Sequence, residues 1–158
     1  MFLWSETAKS LVLTFLMAMV PVVELRGAIP FGVASGLSIW TSILVSIFGN
    51  LVPVPFILVF IRRIFSWLRT RNEKLNALVT RLERRAEQKK ETVIRYAFWG
   101  LVILVAIPLP GTGAWTGALV AAMMEMRVKR ALPAIVLGVI IAAVVVAVIT
   151  YGAAVLIF

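Results

Sequence analysis

The sequence predicts an all-α integral membrane protein: an inverted repeat of a re-entrant helical hairpin plus a transmembrane helix, its halves joined by a basic amphipathic helical linker. Three observations predict it. First, 62% of the 158 residues are hydrophobic and the mean hydropathy is +1.04. A soluble domain is about 45–50% apolar, and a short chain has too much surface for its volume to hide more than that from water. Second, two apolar stretches are unbroken while two are broken near their middles. Third, the positive charge gathers between the halves. The length fits one membrane domain, residues 1–158.

The broken stretches are residues 9–37 and 96–124, each 29 long; the others are 38–61 and 131–158. A spanning helix needs about 20 apolar residues. Residues 38–61 and 131–158 each supply one, with Asn50, Pro53 and Pro55 reading as a bend in the first or, as the alternative, as cavity lining, and the alanines of 142–147 as close helix contact in the second, within the monomer or between copies. Residues 9–37 are interrupted by Pro21, Glu24, Arg26, Gly27 and Pro30, and 96–124 by Pro108, Pro110, Gly111 and Gly113. Such stretches are long for one crossing and short for two, and fit half-helices that enter and leave on one face.

Charge gives an independent check. Residues 62–95 hold eleven Lys or Arg against four Glu, a local charge of +7 within the chain's +9. A second cluster, Arg127, Lys129 and Arg130, follows 96–124. One crossing there would put the clusters on opposite sides; a re-entrant hairpin keeps both on the cytoplasmic side, as the positive-inside rule prefers. The chain is then multi-pass in the cell membrane, with its termini outside. The linker is expected to be a helix capped by Asn72, with Leu75, Leu78, Leu82 and Ala86 on one face and Glu87, Lys90 and Glu91 among the charges. Ile64, Phe65, Trp67 and Leu68 fit interfacial anchors. The linker reads as lying on lipid or on its own protein, with recruitment of a partner as the alternative. No recognition motif accompanies the basic run, so nucleic acid is not expected. Glu6 and Lys9, and the lack of an Ala-x-Ala site after 11–23, do not fit a signal peptide.

There is no Cys and no His, and there are seven carboxylates. Zinc sites, disulfides and Cys–His or Ser–His catalysis are excluded. No metal and no cofactor is expected, and no nucleophile–base pair marks an enzyme. Glu125, beside Arg127 and Lys129, reads as a surface charge.

The first break carries the strongest signal. A charge at the centre of a membrane helix costs about 2.5–3.5 kcal/mol on insertion scales, so Glu24 and Arg26 need compensation. Gly27 and Pro30 free backbone groups that cannot face lipid. The functional reading is an anion site: Arg26 offers a planar fork, a half-helix starting near Pro30 would aim its N-terminus at the same place, and Glu24 could exchange a proton. The structural reading is a Glu24–Arg26 pair that only knits the hairpin together, although residues two apart do not share a helix face. At the second break Thr112 could cap the following half-helix, while Gly111 and Gly113 would let backbone amides approach a ligand. A tight turn with small-residue packing through Gly113 and Gly117 is equally open.

The motifs Glu24-Leu-Arg26-Gly27-Ala-Ile-Pro30 and Pro108-Leu-Pro110-Gly111-Thr112-Gly113 resemble the small multidrug export protein family, over nearly the whole chain. That family is similar in architecture to the DedA/VTT superfamily, some members of which move lipids, including polyprenyl phosphates, with proton coupling proposed. The resemblance implies Glu24 as the acidic site, Arg26 as the phosphate-facing cation, and Pro108, Pro110 and Gly111 to Gly113 as the opposing tip. The chain departs from typical DedA members in its short length and uncharged second tip. The expectation is a transporter or lipid flippase for an anionic, phosphate-bearing lipid, with membrane lipids as partners and a homo-oligomeric state. A small-molecule exporter and a non-transporting scaffold are the alternatives.

Overall fold

The computed structural model describes residues 2–71, 73–74, 76–77, 80, 90–109 and 111–157. Among these every element is a helix: α1 (Phe2–Met19), α2 (Glu24–Ala34), α3 (Ile39–Leu51), α4 (Pro53–Arg71), α5 (Lys90–Ala106), α6 (Ala114–Met123) and α7 (Val128–Ile157). Residues 20–23 join α1 to α2 and residues 107–113 join α5 to α6, and each pair packs together as a helical hairpin. The first hairpin lies on α3, and α5 lies along α7. Hairpin and partner also exchange across the molecule, since α2 touches α7 and α6 packs on α4.

The core joins Leu25 and Ile29 of α2, Val54 and Leu58 of α4, Val102 and Val105 of α5, Ala118 of α6, and Ile135 and Val139 of α7. Small residues set the spacing. A side chain at Gly49 would come within 2.5 Å of the Phe15 carbonyl oxygen, and one at Gly138 within 2.9 Å of the Val102 carbonyl oxygen. Backbones that approach this closely are what small residues allow in apolar helix pairs. Ala142 and Ala143 are buried in the same core, so the alanine-rich run makes its contact within the chain. The outside is apolar too, with Trp40, Phe48, Phe56, Val144 and Val148 exposed. Two helical runs, Ile39–Arg71 and Val128–Ala153, are long and apolar enough to cross a membrane.

Three expectations change. The helix expected over 38–61 is two helices meeting at Val52, and the second runs on to Arg71. Pro53 opens α4, the helical position where a missing N–H costs nothing, and Val52 keeps helical backbone, its N–H donating to the Phe48 carbonyl at 3.1 Å, so α3 runs into α4 without unwinding. The basic linker therefore begins inside α4 and ends inside α5. Asn72, Leu75, Leu78, Leu82, Ala86 and Glu87 lie outside the described residues. Finally, Gly27 and Pro30 are not in the first break: both sit within α2, and Gly27 N–H donates to the Val23 carbonyl at 3.1 Å.

The two halves share a backbone signature. α2 closes with Leu37 N–H on the Gly32 carbonyl and Gly36 N–H on the Val33 carbonyl, both 3.0 Å, and Gly36 at φ +86°. This is the Schellman end, with a left-handed residue just past the helix. α6 closes identically, with Met126 N–H on Ala121 O at 3.0 Å, Glu125 N–H on Ala122 O at 3.1 Å, and Glu125 at φ +54°. Both hairpin tips also carry a residue of positive φ, Glu24 at +49° and Gly113 at +135°. Gly113 follows Glu24, Glu125 follows Gly36 and Gly138 follows Gly49 by one and the same separation, 113 less 24 in the first case.

Candidate functional site: the junction of the hairpin tips

The first break is the turn at 20–23, closed by Glu24 N–H on the Val20 carbonyl at 2.9 Å. Gly27 keeps this turn tight, since a side chain there would press within 2.5 Å of Val23 Cγ1. Glu24 is 3% exposed. Its carboxylate leaves its own hairpin and accepts the backbone N–H of Trp115, at 3.2 Å to Oε1. This amide lies in the first turn of α6, where N–H groups have no partner inside the helix and the helix dipole is positive. The Trp115 indole Nε1 returns the contact by donating to the Met19 carbonyl at 3.0 Å.

Arg26 takes the complementary end. Its Nη1 donates to the Leu109 carbonyl and its Nη2 to the Ile107 carbonyl at 2.9 Å and to Thr112 Oγ1 at 3.0 Å. Ile107 follows the last residue of α5, where unpaired carbonyls carry the negative end of the dipole. The first tip thus presents an acid to the N-terminus of one helix and a base to the C-terminus of the other. The second tip needs no charged side chain because its two helix ends supply the opposite partial charges.

The remaining predicted residues divide. Gly113 is required by contact: a side chain there would overlap the Glu24 carboxylate. Gly111, at φ +81° with nothing near its missing side chain, only shapes the turn. Thr112 is not the cap of α6. The cap position is Gly113, which offers no side chain, and the Thr112 hydroxyl bonds the Ile107 and Leu109 carbonyls at 2.7 and 2.8 Å, making it the clasp around Arg26. Pro108 lies in the same loop, and Pro110 is outside the described residues. Pro30 sits farther along α2, so no half-helix starts there; the helix N-terminus at the site is that of α6. Glu24 and Arg26 do not pair with each other, the ion pairs among the described residues being Lys9–Glu6 and Arg69–Glu125.

Sequence reasoning missed a buried polar lane beside the junction. Ser42, Ser46 and Asn50 of α3 are at most 1% exposed, as is Thr14 of α1. The Thr14 hydroxyl donates to the Ser10 carbonyl at 2.7 Å and that of Ser42 to the Ser38 carbonyl at 3.0 Å. Ser46 Oγ and both amide atoms of Asn50 have no hydrogen-bond partner among the described residues. Gly32 packs between Ser42 and Thr14, and Gly49 against Phe15 and Ala18. α3 therefore runs alongside α1 in the same direction, and Asn50 lies in its half nearer the tips. The spacing of 42, 46 and 50 was the available signal, one face of a helix.

A family model described as "Putative small multi-drug export protein" matches residues 24–145, over three quarters of the chain and both tips. No curated protein and no solved structure matches.

Proposed function

The chain belongs to the small multi-drug export protein family, and from that premise we propose that it is a membrane transporter whose hairpin tips form a latch over an anion-recognising site. The two hairpins dip into the bilayer from opposite faces, and the linker lies in the cytoplasm. The repeated backbone signature supports this reading, because inverted repeats with broken helices meeting near the midplane are a recurrent transporter plan.

The crossed bonding of Glu24 and Arg26 carries the proposal. Both groups that would recognise an anion, the Arg26 fork and the Trp115 N–H at the start of α6, are already engaged by the protein's own carbonyls and carboxylate. Glu24 thereby stands in for the anionic group of a substrate. Separating the tips frees both donors side by side, and a phosphate-bearing headgroup takes the place of the carboxylate. Glu24, leaving that amide, is expected to take up a proton, which would couple opening to proton movement. The substrate is an anionic lipid passed between leaflets, without chemical change.

Flipping of a fluorescent phosphatidylglycerol in proteoliposomes tests this. Wild type is expected to accelerate flipping. Arg26→Ala is expected to lose the activity, and Arg26→Lys most of it, because a point charge does not reproduce the fork, while both variants insert into the vesicles normally. Wild-type rates in Arg26→Ala would sink the reading. The family description favours a second reading, export of small drugs. Uptake of a cationic dye that depends on Glu24 but not on Arg26, with no lipid flipping, would establish that reading instead.

A further inference from the structure

Far along α4 from the tip junction, a cavity of about 320 Å³ is lined by Arg62, Ser66 and Arg69 of α4 and by Ala122 and Glu125 at the end of α6. We infer that this cavity is a separate binding site for an anionic phosphate group, occupied in the membrane by the headgroup of an anionic phospholipid.

The three α4 residues recur at spacings of four and three, so they share one helix face. Arg62 is fixed from behind: its Nη2 donates to the Glu125 carbonyl at 2.8 Å and to the Met126 carbonyl, both at the C-terminal end of α6. That spends one nitrogen, and Nε and Nη1 have no acceptor among the described residues. Arg69 bonds the Glu125 carboxylate, and Ser66 adds a hydroxyl donor. The lining thus holds two guanidinium groups and one carboxylate. Its volume falls in the range of about 300–1,000 Å³ usual for small-ligand sites.

The surroundings point to lipid as the source of the phosphate. On the cavity's own side Met123 and Met124, between Ala122 and Glu125, are exposed apolar side chains, and Phe56, Phe60, Ile64 and Trp67 are exposed on the opposite face of α4. Arg71 stacks over the Trp67 ring at 5.2 Å, where apolar surface gives way to charge. Acyl chains would lie on the apolar side with the phosphate in the cavity. Basic pockets between membrane helices on the cytoplasmic side hold anionic headgroups in this way.

The test is native mass spectrometry of the purified full-length protein titrated with phosphatidylglycerol, with phosphatidylcholine as control and inorganic phosphate as competitor. Wild type is expected to retain phosphatidylglycerol over phosphatidylcholine. Arg69→Gln should weaken retention by about tenfold, the effect of losing a charge-assisted hydrogen bond. Glu125→Gln, which removes the competing carboxylate, should strengthen it; a purely structural ion pair would not produce that gain. Arg62→Gln should also weaken retention, but it removes the clamp on the end of α6, so Arg69→Gln and Glu125→Gln decide. Arg26→Gln should remove only the lipid held at the tip junction and leave the effects of Arg69→Gln and Glu125→Gln unchanged, which separates the two sites. Competition by inorganic phosphate without selective lipid retention would keep the phosphate site and assign it to free phosphate. Equal retention of both lipids without phosphate competition, or no change in Arg69→Gln and Glu125→Gln, would overturn the inference.

Discussion

The two halves put a residue of positive φ at equivalent points and exchange glutamate and glycine between them. In the first half the tip position is Glu24 and the helix-closing position is Gly36; in the second the tip is Gly113 and the closing position is Glu125. All four have positive φ, a conformation that costs a residue other than glycine about 1–2 kcal/mol. Each half therefore bears that cost once, at a glutamate whose carboxylate reaches another element. Glu24 reaches the first turn of α6, and Glu125 reaches Arg69. At the tips the equivalent positions touch, since the Glu24 carboxylate lies against Gly113. Strain at a glutamate with a specific partner marks function better than the sequence motif alone.

The sharpest way to break this comparison is to put a side chain where the halves meet. Gly113→Ala forces an alanine into φ +135° and drives its methyl into the Glu24 carboxylate. Backbone strain and overpacking together should cost about 3 kcal/mol, read as a fall in thermal stability in detergent. Glu24→Gly in the same chain removes the obstacle and one strained residue, so the double variant should recover part of the loss. Strictly additive effects would show that the two positions do not meet.

Next in size come the glycines that let each hairpin approach its partner helix. Gly49→Ala and Gly138→Ala should each destabilise by about 1–3 kcal/mol, because the nearest atoms include backbone carbonyls that cannot yield like a side chain. Gly152 has open space around it, and Gly152→Ala should instead be neutral or gain about 0.5 kcal/mol from helix propensity. If the two halves truly correspond, the first pair of losses will be similar. A large loss at Gly49 with none at Gly138 would reduce the correspondence to coincidence.

Smaller still is the helix-closing position. Gly36 has nothing within contact distance of its missing side chain, so Gly36→Ala isolates the backbone term and should cost about 1 kcal/mol. Glu125→Gln keeps its backbone and removes only a half-exposed charge, and should change thermal stability by less than about 1 kcal/mol. A larger loss in Glu125→Gln than in Gly36→Ala would mean that the Arg69 contact, not the turn, closes the second half.

Much of this was legible in the residues. Pro108, Gly111 and Gly113 announced the second turn, and Glu24 with Arg26 announced a polar point inside an apolar stretch, because such groups are tolerated only where something answers them. What answers them was not legible. The partners of Arg26 are the carbonyls of Ile107 and Leu109, which any residue type would offer, and the acceptor for Trp115 is the carbonyl of Met19. Backbone groups have no signature in composition, so the anion site was drawn at a helix start near Pro30 instead of at α6. The apolar count likewise ended the first spanning helix at 61, because hydropathy stops where lipid contact stops, while the α4 hydrogen bonding carries on to Arg71.

The last contrast lies along α3 and α7. Ser42, Ser46 and Asn50 hold the places that Ala131, Ile135 and Val139 hold in the second half, at the same separation as the tips, and all six are buried. The second half fills these positions with alkyl groups; the first leaves both ends of the Asn50 amide without a partner among the described residues. A dry amide in that position costs about 1–3 kcal/mol of desolvation, so Asn50→Val, which copies the second half, should hold or raise thermal stability by up to about 1 kcal/mol. Its expected effect on lipid flipping is opposite, a slowing without loss of fold, because in the proposed transport Ser42, Ser46 and Asn50 would offer polar groups to a passing headgroup. A marked loss of stability would mean that the amide is bonded to water in the resting protein. Flipping at the wild-type rate would mean that the lane takes no part in transport.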